Sequence, residues 1–212
     1  MVIKTFVNSI FNSNTYIIYK EDRTDVWVID PGSCINELIE WTDRQKKNVG
    51  AVLLTHAHFD HIMGLSQLID RFPSSKIYAS PYAIDKFKSD KLNGSYYQEI
   101  PFVVDCKDYI RVKEGDTIEM WGDYKINVLE TPGHGMDCIS FYMNGNLFTG
   151  DALIPGVKVF TKNKDANHTD AIRSINRLIE KFNANTMIWA GHEKNCPLGT
   201  ILAQDFPLYV VK

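Results

Sequence analysis

The 212-residue sequence contains no run of about 18 apolar residues, so no helix in it is read as spanning a membrane. Its start, MVIKTFVNSIFNSNTYIIY, lacks the continuous apolar segment and small-residue cleavage site of a signal peptide. Cysteine is scarce. Cys34, Cys106, Cys138 and Cys196 are far apart and form no C-x-x-C pair, which excludes a disulfide scaffold in a chain this long. Free thiols and a cytoplasmic location are the expectation. No block of like charges occurs: 26 acidic against 23 basic residues give a net charge of −3. The basic stripe of a nucleic-acid binder is missing, so neither nucleic acid nor membrane is expected as a partner.

What remains is ordinary globular composition, 44% hydrophobic and 23% charged, with enough chain to bury a core. Short β-rich runs open the sequence: VIKTFV, NTYIIY and DVWVID, the last closing on Asp30-Pro31-Gly32. Ser33 to Lys46 places Ile35, Leu38, Ile39 and Trp41 at helical spacing, with Ser33 as the expected N-cap. AVLLT at 51–55 reads as a buried strand, and His61 to Phe72 as one helix. KIYAS follows as a strand, then a short helix from about Pro81. The weakly periodic stretch 89–108 reads as a loop or lid, with Tyr96, Tyr97 and Phe102 able to line a pocket. The second half repeats the pattern in kind: strands at DTIEMW, YKINVLE, CISFYM and NLFTG, a helix near Asn167–Phe182, a strand TMIWA and a short C-terminal helix. Two packed sheets with helices on both outer faces satisfy every apolar face, in one domain over 1–212.

The six histidines carry the functional signal. Three fall in seven residues, Thr55-His56-Ala57-His58-Phe59-Asp60-His61, directly after an apolar strand. His134 follows a strand in Thr131-Pro132-Gly133-His134-Gly135, and His192 does so in Ala190-Gly191-His192-Glu193. NLFTG ends on Asp151. Four strands therefore each deliver a His or Asp into a loop, where functional side chains collect. A single His after a strand is more often a cap or core residue than a ligand. Three in seven residues beside an Asp point instead to a metal, and imidazole with carboxylate suits zinc, iron or manganese. Five histidines and two carboxylates exceed the needs of one ion and suit two, with a carboxylate between them. Asp30 follows a strand as the ligands do. It is read as the carboxylate that orients a ligand histidine, beside the plainer reading of a turn residue. His168, with no glycine or strand before it, reads as a surface residue.

THAHFDH at 55–61, TPGHG at 131–135, TGDAL at 149–153 and AGHE at 190–193, in that order, resemble the metallo-β-lactamase superfamily, and within it the glyoxalase II-like (hydroxyacylglutathione hydrolase-like) enzymes. The resemblance covers essentially the whole chain. It implies a four-layer αββα sandwich with a dinuclear site: His56, His58 and His134 on one metal, Asp60, His61 and His192 on the other, and Asp151 bridging. The implied activity is hydrolysis of a thioester or related activated ester by metal-bound hydroxide, with Asp60 orienting the water or taking up a proton as the catalytic carboxylate. Two divalent ions, zinc first and iron or manganese next, are the expected cofactors. A small molecule is the expected substrate, and a homo-oligomer is compatible with the sequence. The rival readings are a lactonase or β-lactamase-type hydrolase, a mononuclear iron persulfide dioxygenase, and a metal-binding module without activity.

Overall fold

The structure, a computed structural model, describes residues 1–106, 108–122 and 124–203. The chain divides into two compact units, Met1–Arg111 and Val112–Lys212, each built on its own six-stranded mixed sheet.

In the first unit the strands are β1 (Val2–Val7), β2 (Asn14–Tyr19), β3 (Asp25–Ile29), β4 (Asn48–Leu53), β5 (Lys76–Ala79) and β6 (Ile110–Arg111), hydrogen-bonded in sequence order. β1 to β3 form an antiparallel meander, and β3 to β6 run parallel. Parallel neighbours need crossover connections, and the helices supply them. α1 (Ile35–Arg44) joins β3 to β4; α2 (Phe59–Ile62) and α3 (Leu65–Arg71) join β4 to β5. After β5 come α4 (Ala83–Phe87), α5 (Asp90–Asn93) and a 3-10 turn over Ser95–Tyr97. Val26, Val28, Leu38, Val52, Leu65, Leu68, Ile77 and Phe87 form the apolar core of this unit. Full burial of each such side chain contributes about 1.5–3 kcal/mol.

Local chemistry moves several boundaries from the sequence expectation. Cys34, not Ser33, occupies the cap of α1, and its side chain makes no capping bond. The Ser33 hydroxyl is engaged elsewhere, 3.1 Å from Ser9 Oγ and accepting from Ile10 N. The expected single helix from His61 splits at Gly64. A Cβ there would fall 2.5 Å from Gly32 O and 2.7 Å from Ile35 Cβ, and Gly64 N donates to Pro31 O at 2.9 Å. The close approach admits only glycine and takes its amide out of the helical ladder. The 89–106 part of the expected lid is more ordered than its weak periodicity suggests. Ser89 Oγ caps α5 by accepting from Leu92 N, and Ser95 and Asn93 both reach Phe102 O. Lys107, also within that stretch, lies outside the described residues.

The second unit has β7 (Thr117–Met120), β8 (Tyr124–Glu130), β9 (Ile139–Met143), β10 (Asn146–Gly150), β11 (Met187–Ala190) and β12 (Cys196–Pro197) in the order β12-β11-β10-β9-β8-β7. Only β10 and β11 are parallel, and α6 (His168–Lys181) is their crossover. Asn167 caps α6 by accepting from Asp170 N at 3.1 Å. Ala171, Ser174, Ile175 and Leu178, spaced three and four apart, are its buried face. They pack with Leu129, Leu147, Leu153, Ile188 and, from α7 (Leu198–Ala203), Leu198 and Ile201. All four cysteines are free thiols. No helix among the described residues is long and apolar enough to cross a membrane.

Candidate metal centre

The seven-residue motif begins as β4 ends. His56 and His58 lie in the extended segment after the strand, while Asp60 and His61 sit on the single turn of α2. The ring centroids of His56 lie 4.8 Å from those of His58 and 4.3 Å from those of His61. All four side chains are buried, His61 completely. His61 Nε2 is 3.4 Å from Asp60 Oδ2.

Asp30 organises this cluster. It directly follows β3 in the left-handed region, φ 50°, which Asp tolerates better than most residues. Its Oδ1 accepts from Thr55 N at 2.8 Å and its Oδ2 from Thr55 Oγ1 at 2.6 Å. The same Oδ2 lies 3.1 Å from His61 Nδ1, which donates to it. Because the Thr55 hydroxyl hydrogen goes to Asp30, the hydroxyl oxygen accepts from His56 Nδ1, 3.1 Å away. Holding Nδ1 fixes the tautomer and offers Nε2, for His61 and His56 alike. Asp30, His56 and His61 bring ligand-type atoms within 4.8 Å of one another. Both Asp30 oxygens already accept hydrogen bonds, so it acts as the orienting group. Burial pushes its carboxyl above the ordinary range, against the opposing pull of the His61 and Thr55 contacts.

The β1–β2 loop braces the motif from below. Ser13 Oγ donates to the backbone oxygen of Asp60 at 2.9 Å, and Asn8 Nδ2 donates to Ser13 and Thr15. Thr15 Oγ1 in turn donates to Asp30 O. Asn8, Ser13, Thr15 and Thr55 were not singled out in the sequence; polar residues in turns are too common there to signal a shared network.

The second unit gathers three side chains from three separate loops. Asp151 follows β10, His134 follows β8 and His192 follows β11. One oxygen, Asp151 Oδ2, lies 3.4 Å from His134 Nε2 and 3.5 Å from His192 Nε2. Those separations exceed a good hydrogen bond and suit donor atoms that share an ion. His134 Nδ1 donates to Phe160 O at 2.9 Å, so again Nε2 is the nitrogen on offer. The loop carrying His134 is locked against α6. Gly133 has φ 144°, and a Cβ there would come within 2.3 Å of Ala171 Cα. Asn167 N donates to Gly133 O, and Ser174 Oγ donates to Pro132 O. His168 is an exposed residue of α6 beside Thr161.

The donor set is imidazole and carboxylate throughout, without thiolate, and it fits hard to borderline divalent ions such as zinc, iron or manganese. Residues 9–192 match the family model described as the Metallo-beta-lactamase superfamily. A hydroxyacylglutathione hydrolase of Prochlorococcus marinus (strain MIT 9312) is 32% identical over 190 residues, 87% of this chain and 66% of that protein. The chain thus spans just under two thirds of the length of such a curated relative. Among solved structures, the BLEG-1 B3 metallo-beta-lactamase aligns with a TM-score of 0.88 at 27% identity, covering 96% of this chain and 98% of that one. The protein TTHA1623 in a di-iron-bound form aligns at 0.82 and 23% identity, with the same coverage.

Proposed function

The chain belongs to the metallo-beta-lactamase superfamily and has its fold, and from that premise we propose that it is a metal-dependent hydrolase that cleaves a thioester or a related activated ester. The hydroxyacylglutathione hydrolase similarity favours the thioester. His56, His58, Asp60 and His61 of the first unit and His134, Asp151 and His192 of the second are the proposed ligands of two divalent ions. A relative solved with two irons supports that number. Such ions supply Lewis acidity, acidifying water toward neutral pH and polarising a carbonyl oxygen.

The chain's own residues do the rest. Asp30 and Thr55 hold His61 and His56 in one orientation, and Phe160 O holds His134, so the ligand nitrogens are aimed before any substrate arrives. Preset ligands spare the site a reorganisation cost during reaction. Asp151 places one carboxylate oxygen at nearly equal distance from two imidazoles, and this is the observation that carries the reading. Asp60, buried beside His61, is the carboxylate proposed to orient the attacking water and take up its proton. The direct test is a panel of acyl-thioesters, lactones and simple esters assayed with zinc-, iron- or manganese-loaded protein. Thioester turnover that falls with His58→Ala supports the proposal; a loaded protein inert on the whole panel refutes it.

The BLEG-1 likeness favours one second reading, cleavage of a β-lactam ring by the same site. Nitrocefin turnover faster than that of any thioester would put this reading first.

A further inference from the structure

Among the described residues, three of the four outer strands of the two sheets are blunted against further pairing. β6 and β12 are two residues long, and β12 contains Pro197. β7 has four residues, with Glu119 exposed. Short length, proline and charge are the usual means of keeping a sheet edge unpaired. β1 departs from them. It runs for six residues, Val2–Val7, without proline, and its register against β2 is unbroken. Its one charge, Lys4, lies over its own strand, with Nζ 5.1 Å from the centroid of the Phe6 ring. Val2 and Val7 are 41% and 62% exposed, a large share for apolar strand residues. The hydrogen bonds of the hairpin determine which backbone groups face outward. Asn8 and Ser13 follow Val7 and Asn14 as the next facing pair, and Asn8 N donates to Ser13 O at 2.8 Å. Bonded and non-bonded pairs alternate along an antiparallel ladder. Val7–Asn14, Thr5–Tyr16 and Ile3–Ile18 are therefore non-bonded pairs, and the N–H and C=O of Ile3, Thr5 and Val7 point away from β2.

We propose that the β1 edge pairs with the β1 edge of a second copy of this chain, antiparallel about a two-fold axis at Thr5. Outward-pointing residues must face outward-pointing residues, so only Ile3, Thr5 and Val7 can carry the new ladder. Centring on Thr5 sets Thr5 of one copy against Thr5 of the other, and Ile3 against Val7 in both directions. Each facing pair then exchanges both backbone bonds. On the opposite face of the strand, Lys4 of one copy stands across from the Phe6 ring of the other, a cation beside an aromatic. Centring on Lys4 would instead set two ammonium groups directly opposite, which is destabilising. Centring on Phe6 would place Ile3 against Ser9, beyond the end of β1. Charge and strand length therefore select one register. The sequence of β1 is self-complementary in that register, as a two-fold interface requires.

Sedimentation equilibrium of the full chain, loaded at up to about 0.1 mM, detects self-association with a dissociation constant of that order. The wild type should form a dimer, and Thr5→Pro should weaken it at least about tenfold. Proline at this position removes an amide that points away from β2, so the monomer keeps its own ladder. Circular dichroism of Thr5→Pro at low concentration should therefore match the wild type. A wild type that stays monomeric over the whole series overturns the proposal. So does a dimer that a folded Thr5→Pro leaves intact, because the interface then lies elsewhere. If Thr5→Pro does not fold, a pair of cysteine variants still decides. Facing residues of a bonded antiparallel pair have Cα atoms about 5.5 Å apart, within disulfide reach. Thr5→Cys should thus form a disulfide-linked dimer under mild oxidation. Ile3→Cys, which shares the four native thiols, should not, since its facing residue is Val7. Equal cross-linking of the two variants, or none at Thr5→Cys, contradicts the register.

Discussion

The two units prepare their candidate ligands in opposite ways. The first places four candidate ligands within six consecutive positions, His56 to His61, and orients two of them through one carboxylate, Asp30. The second draws His134, Asp151 and His192 from the ends of three strands spread over 59 positions of sequence, and brings the two imidazoles to one oxygen of Asp151. The first cluster is encoded locally and needs an outer scaffold of hydrogen bonds to set its rings. The second is encoded by sheet order, so β8 must pair with β9, β9 with β10, and β10 with β11 in register before it exists. A lesion in Asp30 should therefore act on ligand orientation, and a lesion in the β8–α6 contact on folding.

The largest effect is expected at the shared carboxylate. Asp151→Asn removes the charge between two imidazoles and should cost several kcal/mol of function, at least about 10²-fold in kcat/KM, with loss of bound metal. Unchanged metal content and activity would remove Asp151 from the site. Next comes Asp30→Asn, which keeps the shape and weakens the hold on His61 and Thr55. Metal affinity should fall by about 10–100-fold while the melting temperature of the metal-free protein changes little. A large thermal shift without a change in affinity would make Asp30 a structural turn residue and erase the contrast between the units.

Gly133→Ala tests the other half of the comparison. The added methyl meets the backbone of Ala171 in a conformation, φ 144°, that side chains rarely adopt. Overpacking of this kind costs about 1–3 kcal/mol, read as a lower melting temperature. A variant as stable as the wild type would show that the His134 loop is not locked to α6.

The smallest effects concern the thiols. In the first unit burial pushes Cys34 and Cys106 from 9.0 up to about 11, and in the second the Cys196 thiol is also raised by burial. A thiol raised from 9.0 to about 11 holds roughly 100-fold less thiolate at pH 8, since 11 − 9 is two pH units. Native Cys34 and Cys106 should therefore alkylate slowly at pH 8, and faster after denaturation. The raised native value means the unfolded chain loses the thiol proton first as pH rises. The stabilisation is thus complete below about pH 9 and is lost between about 9 and 11. Native labelling as fast as that of the denatured protein would contradict the burial.

Sequence made the histidine-rich motif legible because three imidazoles in seven residues have no ordinary packing explanation. His134, Asp151 and His192 were legible through strand-end placement beside glycines. The burial of Lys86 against His58 was not, because a lysine in a short mixed helix is usually solvated and nothing in YAIDKFK marks this one as buried. Most strand and helix positions followed from apolar periodicity. The split at Gly64 did not, since it depends on Gly32 and Ile35, distant in sequence and close in space. The two-residue strands β6 and β12 are too short to carry a pattern.

Metal content per chain, measured on protein purified without a chelating tag and then reconstituted with zinc, tests the central claim most directly. The account predicts two ions per wild-type chain. A single ion, or none after reconstitution, would contradict it.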